Sequence, residues 1–276
     1  MRRLFWCLAL LVMGAVSACA QFDGSGSTGV SASLIRLFGT NNTFTAQAEV
    51  QVLGKDNKEI IGTPMTFTLS GNKIRAEVDL ARMRNKLQPD AIAQMKPLGL
   101  DSVISIIRPE TRTNLIIFPK LRAYVKLDMP PNEAEAFLRK AKIERTTLKK
   151  EKMEGYNCVK QRVVITDDDG HKSEATVWTA PELRGFPVCV ATQEKEGTVT
   201  VRFRKVQFTA AAASQFEPPA GFIEYADMQQ ISLGPGVKYM RENGMTVKAD
   251  PKAKPAATKA KTTATKPAAA PAKKKP

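Results

Sequence analysis

The sequence predicts a mainly β, α+β fold: a curved antiparallel half-barrel of about ten strands with short helices over its concave face. Three observations lead there. Clean apolar–polar alternation runs through residues 44–52, 65–69 and 74–80, which gives one dry face and one wet face. Three apolar stretches, 102–108, 114–118 and 123–129, follow one another with gaps too short for a crossover helix, so they are consecutive antiparallel strands. Only two short helical stretches interrupt the pattern, and a long sheet with one apolar face must curl or be covered.

The elements follow in order. In the first strand Phe44, Ala46, Ala48, Val50 and Val52 alternate with polar residues. Met65, Phe67 and Leu69 repeat that period, as do Ile74, Ala76, Val78 and Leu80, with Gly71-Asn72 as the tight turn between these two strands. Residues 89–95 form a short helix. The turn Arg108-Pro109-Glu110-Thr111-Arg112 and the lone Pro119 separate the three apolar strands. Asn132 is placed to cap a helix over 133–140. Five further strands are expected at 147–151, 158–166, 172–179, 186–194 and 198–208, with turns at Asp169-Gly170 and Glu196-Gly197.

Both ends of the chain differ from this middle. Arg2-Arg3, an apolar run from Leu4 to Val16, and small residues through Ala20 form a secretory signal peptide, residues 1–20. The run is shorter than the roughly 20 residues of a bilayer-spanning helix. Val16-Ser17-Ala18-Cys19 fits a lipobox with Cys19 acylated, while Ala18-Cys19-Ala20 equally fits ordinary cleavage before Gln21. Residues 21–42 read as a Gly/Ser-rich linker, 43–228 as the folded domain and 229–247 as a C-terminal extension. Residues 248–276 are almost entirely Lys, Ala, Pro and Thr and hold no large apolar side chain, so they are expected to stay disordered. Nine lysines against Asp250 supply about half of the chain's net charge of +15. Such a tail suits anionic cell-wall polymer or lipid headgroups. Export makes nucleic acid the least fitting partner.

Chemical motifs are few. The single histidine, His171, lies in a turn after Asp167-Asp168-Asp169-Gly170, which lacks the ligand spacing of a calcium loop. No phosphate cradle or nucleophile elbow occurs. No catalytic residue, metal or cofactor is therefore assigned. After loss of the signal peptide and lipidation or removal of Cys19, Cys158 and Cys189 remain. An oxidising compartment permits their disulfide, whereas simple meander order places a strand between them.

The segment 104–129 resembles the family catalogued as domain of unknown function 4412. The shared phrases are Arg108-Pro109-Glu110, Phe118-Pro119 and Tyr124 with Asp128-Met129. Gly155-Tyr156-Asn157-Cys158, Trp178, Gly185-Phe186-Pro187-Val188 and Phe216-Glu217-Pro218-Pro219 continue the series. That family is similar in architecture to LolA/LolB-like envelope lipoprotein carriers, whose curved sheets enclose an apolar cavity. The resemblance implies a protein that holds an acyl chain or a lipidated partner. The signal peptide and the lack of chemical motifs make the expectation a periplasmic, non-catalytic one, and an acylated Cys19, a departure from soluble carriers, would anchor it at the outer membrane. Alternation offers Phe44, Val50, Met65, Phe67, Ile74, Val78, Ile104, Ile106, Ile116, Phe118 and Tyr124 as cavity liners. The other expectation is a structural or regulatory interaction protein tethered to anionic wall or membrane by its tail.

Overall fold

The computed structural model describes residues 32–85, 89–194 and 197–245. The signal peptide, Cys19 and the basic tail lie outside them. Thirteen strands form one sheet. They are β1 (Thr43–Gly54), β2 (Glu59–Ser70), β3 (Lys73–Asp79), β4 (Arg84–Asn85), β5 (Ser102–Arg108), β6 (Thr113–Phe118), β7 (Ala123–Asp128), β8 (Lys142–Met153), β9 (Tyr156–Thr166), β10 (Lys172–Ala180), β11 (Phe186–Glu194), β12 (Gly197–Gln207) and β13 (Ile223–Tyr225). The order is β13-β7-β6-β5-β3-β2-β1-β12-β11-β10-β9-β8, with β4 on the side of β2. The sheet is curved and unclosed. All neighbours are antiparallel except β13, which returns parallel to β7. Every stretch read as a strand is one; β4 and β13 are additional.

Proline shapes the hairpins. Pro109, Pro119 and Pro181 each open a single 3₁₀ turn, and each turn ends on an arginine in the left-handed region, Arg112, Arg122 and Arg184. The fixed φ of proline suits the first position of such a turn. This device keeps β5, β6 and β7 in direct succession.

Among the described residues five short α-helices accompany the sheet: α1 (Ala32–Leu37), α2 (Pro89–Met95), α3 (Pro131–Leu138), α4 (Met228–Ile231) and α5 (Val237–Glu242). A π-helical turn, Ser232–Gly236, joins the last two. Two expectations are corrected here. The linker ends earlier than expected, because Leu34, Leu37 and Phe38 recur at helical spacing and are buried. Asn132 does not cap: α3 begins at Pro131, with Pro130 in the cap position and no side-chain cap bond. The extension 229–247 packs back on the domain, with Ile231 fully buried.

The disulfide is also corrected. Cys158 and Cys189 are free thiols. Trp178 of β10 pairs with Cys189 on one side and with Lys160 of β9 on the other. Two strand spacings, about 9–10 Å, exceed the roughly 7 Å reach of a disulfide. Burial pushes the Cys189 thiol up to about 12 and also raises that of Cys158.

Candidate functional site

Residues directly opposite one another in a sheet share a face. Register therefore places Phe44, Val50, Met65, Phe67, Ile74 and Val78 on one wall, continued by Val103 and Ile107 of β5 and by Ile116 of β6. Val201 and Phe203 of β12, Val190 of β11 and Val177 of β10 extend it the other way. This is the concave face, beneath the helices.

Two apolar basins divide it. The first lies under α1 and α3 and is filled by Phe38, Phe44, Phe67, Phe186 and Phe203, whose neighbouring rings sit 4.7–6.2 Å apart. The second contains Val78, Met95, Leu100, Val103, Phe118, Ala123 and Val125, with Ile231 of α4 packed on top. Met65 is only partly buried and touches both basins. In this structure the trough holds the protein's own side chains.

Three expected liners lie on the other face. Ile104 pairs with Glu77, Ile106 with Arg75, and Tyr124 with Ile117, which itself opposes Ile104. These residues, with Leu115, pack under the segment 211–222 through Phe216 and Phe222. The Tyr124 hydroxyl donates to Glu224 at 2.8 Å. Burial, then this bond, raises its pKa. The cause of the misassignment is physical. Both faces of β5 and β6 are dry, so a continuous apolar run gives no alternation from which to choose a face.

Towards the middle of the sheet that outer face forms a groove of about 720 Å³. Its floor comes from β1, β2, β3, β5 and β12, and most of its lining residues are polar or charged. Arg84 binds both Glu49 and Glu59, and Arg204 binds Glu49 and Glu154. Glu49 thus bridges two arginines. Hydrogen bonds to Glu59 and then Glu49 push the Arg84 guanidinium further up. Gly62 makes room for it, since a β-carbon there would lie 2.3 Å from Nη2 of Arg84. No single residue type in the sequence marks this lattice, because its members come from strands far apart in the chain.

A half-buried ion pair braces the second basin. Lys120, in the turn after β6, donates to both carboxylate oxygens of Asp101 at 2.8 and 2.7 Å. The Asp101 side chain is 3% exposed and that of Lys120 40%. The Asp101 bond raises the Lys120 pKa. A raised folded pKa means stability that is fully present below the unfolded lysine value near ~10.4 and lost as pH rises through the folded value. Lys120→Met is expected to cost about 1–3 kcal/mol at neutral pH, the exposure of Lys120 reducing the full penalty of a stranded buried charge. Urea titrations of both proteins should converge above the lysine range; a pH-independent gap would show that the pair does not carry the loss.

The turn before β10 gathers Asp167, Asp169 and His171, with ligand-type atoms within 4.8 Å of one another. Asp167 already accepts the backbone N–H groups of Asp169 and His171 and contacts the His171 ring. Trp178, on the outer face, donates to Glu151 at 2.6 Å and lies under Lys160, and Phe186 belongs to the aromatic cluster.

No helix among the described residues is long and apolar enough to cross a membrane. No family model matches this chain, and no curated protein matches it by sequence. The phrases shared with domain of unknown function 4412 accordingly stand as a resemblance. Among solved structures the chain is similar to a LolA superfamily protein from Nitrosomonas europaea, at 9% identity over 66% of this chain and 93% of that one, with a TM-score of 0.32. The lipoprotein LppX of Mycobacterium tuberculosis gives 14% identity, 65% and 96% coverage and a TM-score of 0.37. LprF of Mycobacterium bovis gives 10%, 65% and 94%, and 0.35.

Proposed function

We propose that this is an exported, non-catalytic envelope protein that holds a hydrophobic ligand, an acyl chain or the acyl group of a lipidated partner, against the concave face of its sheet. One observation carries the reading. The two apolar basins meet at the partly buried Met65, and two of their covers, α1 and residues 228–242, lie before the first strand of the sheet and after its last. A segment outside the succession of strands can leave without breaking a strand pairing of the sheet.

The magnitudes favour exchange of cover for ligand. Ile231, fully buried, and Met228, partly buried, together contribute about 2–4 kcal/mol of burial. A chain of about twelve methylenes would contribute roughly 10 kcal/mol at ~0.8 kcal/mol each. The gross burial offered by such a chain exceeds that of these two side chains. The second basin is the better place, because the first is filled by interlocked rings.

The test is uptake of a fluorescent fatty acid, with competition by an unlabelled one, beside native mass spectrometry of protein taken from its own envelope. Saturable uptake is expected. Met65→Lys sets a charge where the basins meet, at a position open enough to keep the fold, and should weaken uptake by about tenfold or more. Absence of uptake by the unaltered protein would sink the reading.

A second reading is favoured by the charged groove: a non-catalytic interaction protein that binds a partner on its outer face and is tethered by its basic tail. Protein free of lipid that sediments with cell-wall fragments would support it.

A further inference from the structure

The two terminal covers are held very differently. At α1, Arg36 donates to the carbonyl of Ala136 at 2.7 Å, Arg145 to that of Leu37 at 3.4 Å, and Asn41 to that of Arg184 at 3.3 Å. Leu34, Leu37 and Phe38 are all buried beneath it. The C-terminal cover has no such ties. Among the described residues its hydrogen bonds and its ion pair are internal: Gln230 to Asp227, Ser232 to Met228, Asn243 to Tyr239, and Lys238 with Glu242. It is held by apolar contact, chiefly Ile231 in the second basin and Gly236 against Leu98. Its middle is the π-helical turn with Gly234-Pro235-Gly236, an arrangement that interrupts helical bonding. The lysine-rich stretch begins three residues after Met245, the last described residue.

We propose that residues 228–242 are the gate of the trough and that an anionic lipid surface opens it. The proposal deepens the acyl-chain reading and rests on it for what lies beneath the gate, though not for the gate itself. The linkage is complete in physical terms. A surface shifts an equilibrium only if it binds one state better. In the closed state it meets the nine tail lysines, the exposed Leu233 and the partly exposed Met228, Val237, Tyr239 and Met240. In the open state it also receives the fully buried Ile231 and the covered faces of Met228, Val237, Tyr239 and Met240. A basic stretch beside an amphipathic segment is the combination that binds an anionic bilayer interface. Opening would thus take place at the membrane, where acyl chains are to be found, and the trough would stay closed in water.

Two variants read the gate without any acyl ligand. Val125, fully buried on β7 in the second basin, gives a near-isosteric V125C whose thiol meets water only when the cover lifts. Cys158 and Cys189 are buried elsewhere and set the background. A β-carbon on Gly236 would stand 3.6 Å from that of Leu98, inside the span of a disulfide at roughly 3.5–4.5 Å. L98C/G236C therefore cross-links the closed gate.

Vesicles of phosphatidylcholine with about 30 mol% phosphatidylglycerol should raise maleimide labelling of V125C by about tenfold and slow cross-linking of L98C/G236C. Pure phosphatidylcholine should do neither. The full chain with its nine tail lysines changed to glutamine should not respond. Unchanged labelling and cross-linking with anionic vesicles, an equal response without the lysines, or a response to soluble anionic wall polymer but not to vesicles would each overturn the proposal. Uptake of fluorescent fatty acid is scored beside this. A gate that opens without uptake refutes the acyl reading alone, and uptake with a gate that never responds refutes the gate alone.

Discussion

Phe44→Ala is expected to destabilise the protein by about 3–5 kcal/mol, the usual loss for a fully buried phenylalanine. Phe44 is the hub of the aromatic cluster. Its ring lies 4.7 Å from Phe38, 4.8 Å from Phe186, 5.8 Å from Phe67 and 6.2 Å from Phe203. Those neighbours come from α1's end, β11, β2 and β12, so no single element can close the void. For a domain of this size the melting temperature should fall by roughly 6–20 °C. Phe44→Leu keeps most of the volume and should lose well under half as much. Calorimetry of both variants checks the ratio; equal losses would mean that ring contacts, not filled volume, hold the basin. The same variant locates the ligand. If acyl chains lie in the second basin, Phe44→Ala should change uptake by no more than about twofold where it remains folded.

Legibility followed solvent. β1 and β3 were readable because their second face is wet and the period-2 pattern holds, and β2 because Met65, Phe67 and Leu69 keep the alternation in sequence although Thr68 between them is buried. β5 and β6 were readable as strands but not by face, because the segment 211–222 dries their outer side. Phe216 and Phe222 were visible, yet nothing local shows that they belong on the back of a sheet more than 90 residues upstream. The burial of α1 was legible in Leu34, Ile35, Leu37 and Phe38, and the Gly/Ser composition just before it masked that signal. The C-terminal cover was obscured similarly by Gly234-Pro235-Gly236, which reads as a breaker and instead forms a π-helical turn. The charged groove depends on register across β4, β2, β1 and β12, and register between distant strands is not a local property. The sequence alone leaves the Cys158–Cys189 bond open, since the compartment favours it and the meander order opposes it, and strand order decides against it.

Gly197→Ala should be the other severe change. β1 and β12 form the seam that joins the first half of the sheet to the second, and Gly197 begins β12 opposite Gly54. Its φ is +151°, and a β-carbon there would fall 1.9 Å from the carbonyl oxygen of Leu53. That atom is backbone, so no side-chain rotation relieves the clash, and the end of the seam must open. Loss of about 2–4 kcal/mol is expected. Backbone strain alone does not explain a loss of that size, and Gly155 supplies the control. It has φ +87° with nothing within 4 Å of its would-be β-carbon, so Gly155→Ala should cost only about 1 kcal/mol. The difference between the two isolates the close approach. Hydrogen exchange gives it a position: amides of 50–54 should lose protection in Gly197→Ala and keep it in Gly155→Ala. Equal losses in the two variants would show that the seam has room at its end. In that case the two halves of the sheet, and with them the two basins of the trough, are coupled less tightly than the register of β1 and β12 requires.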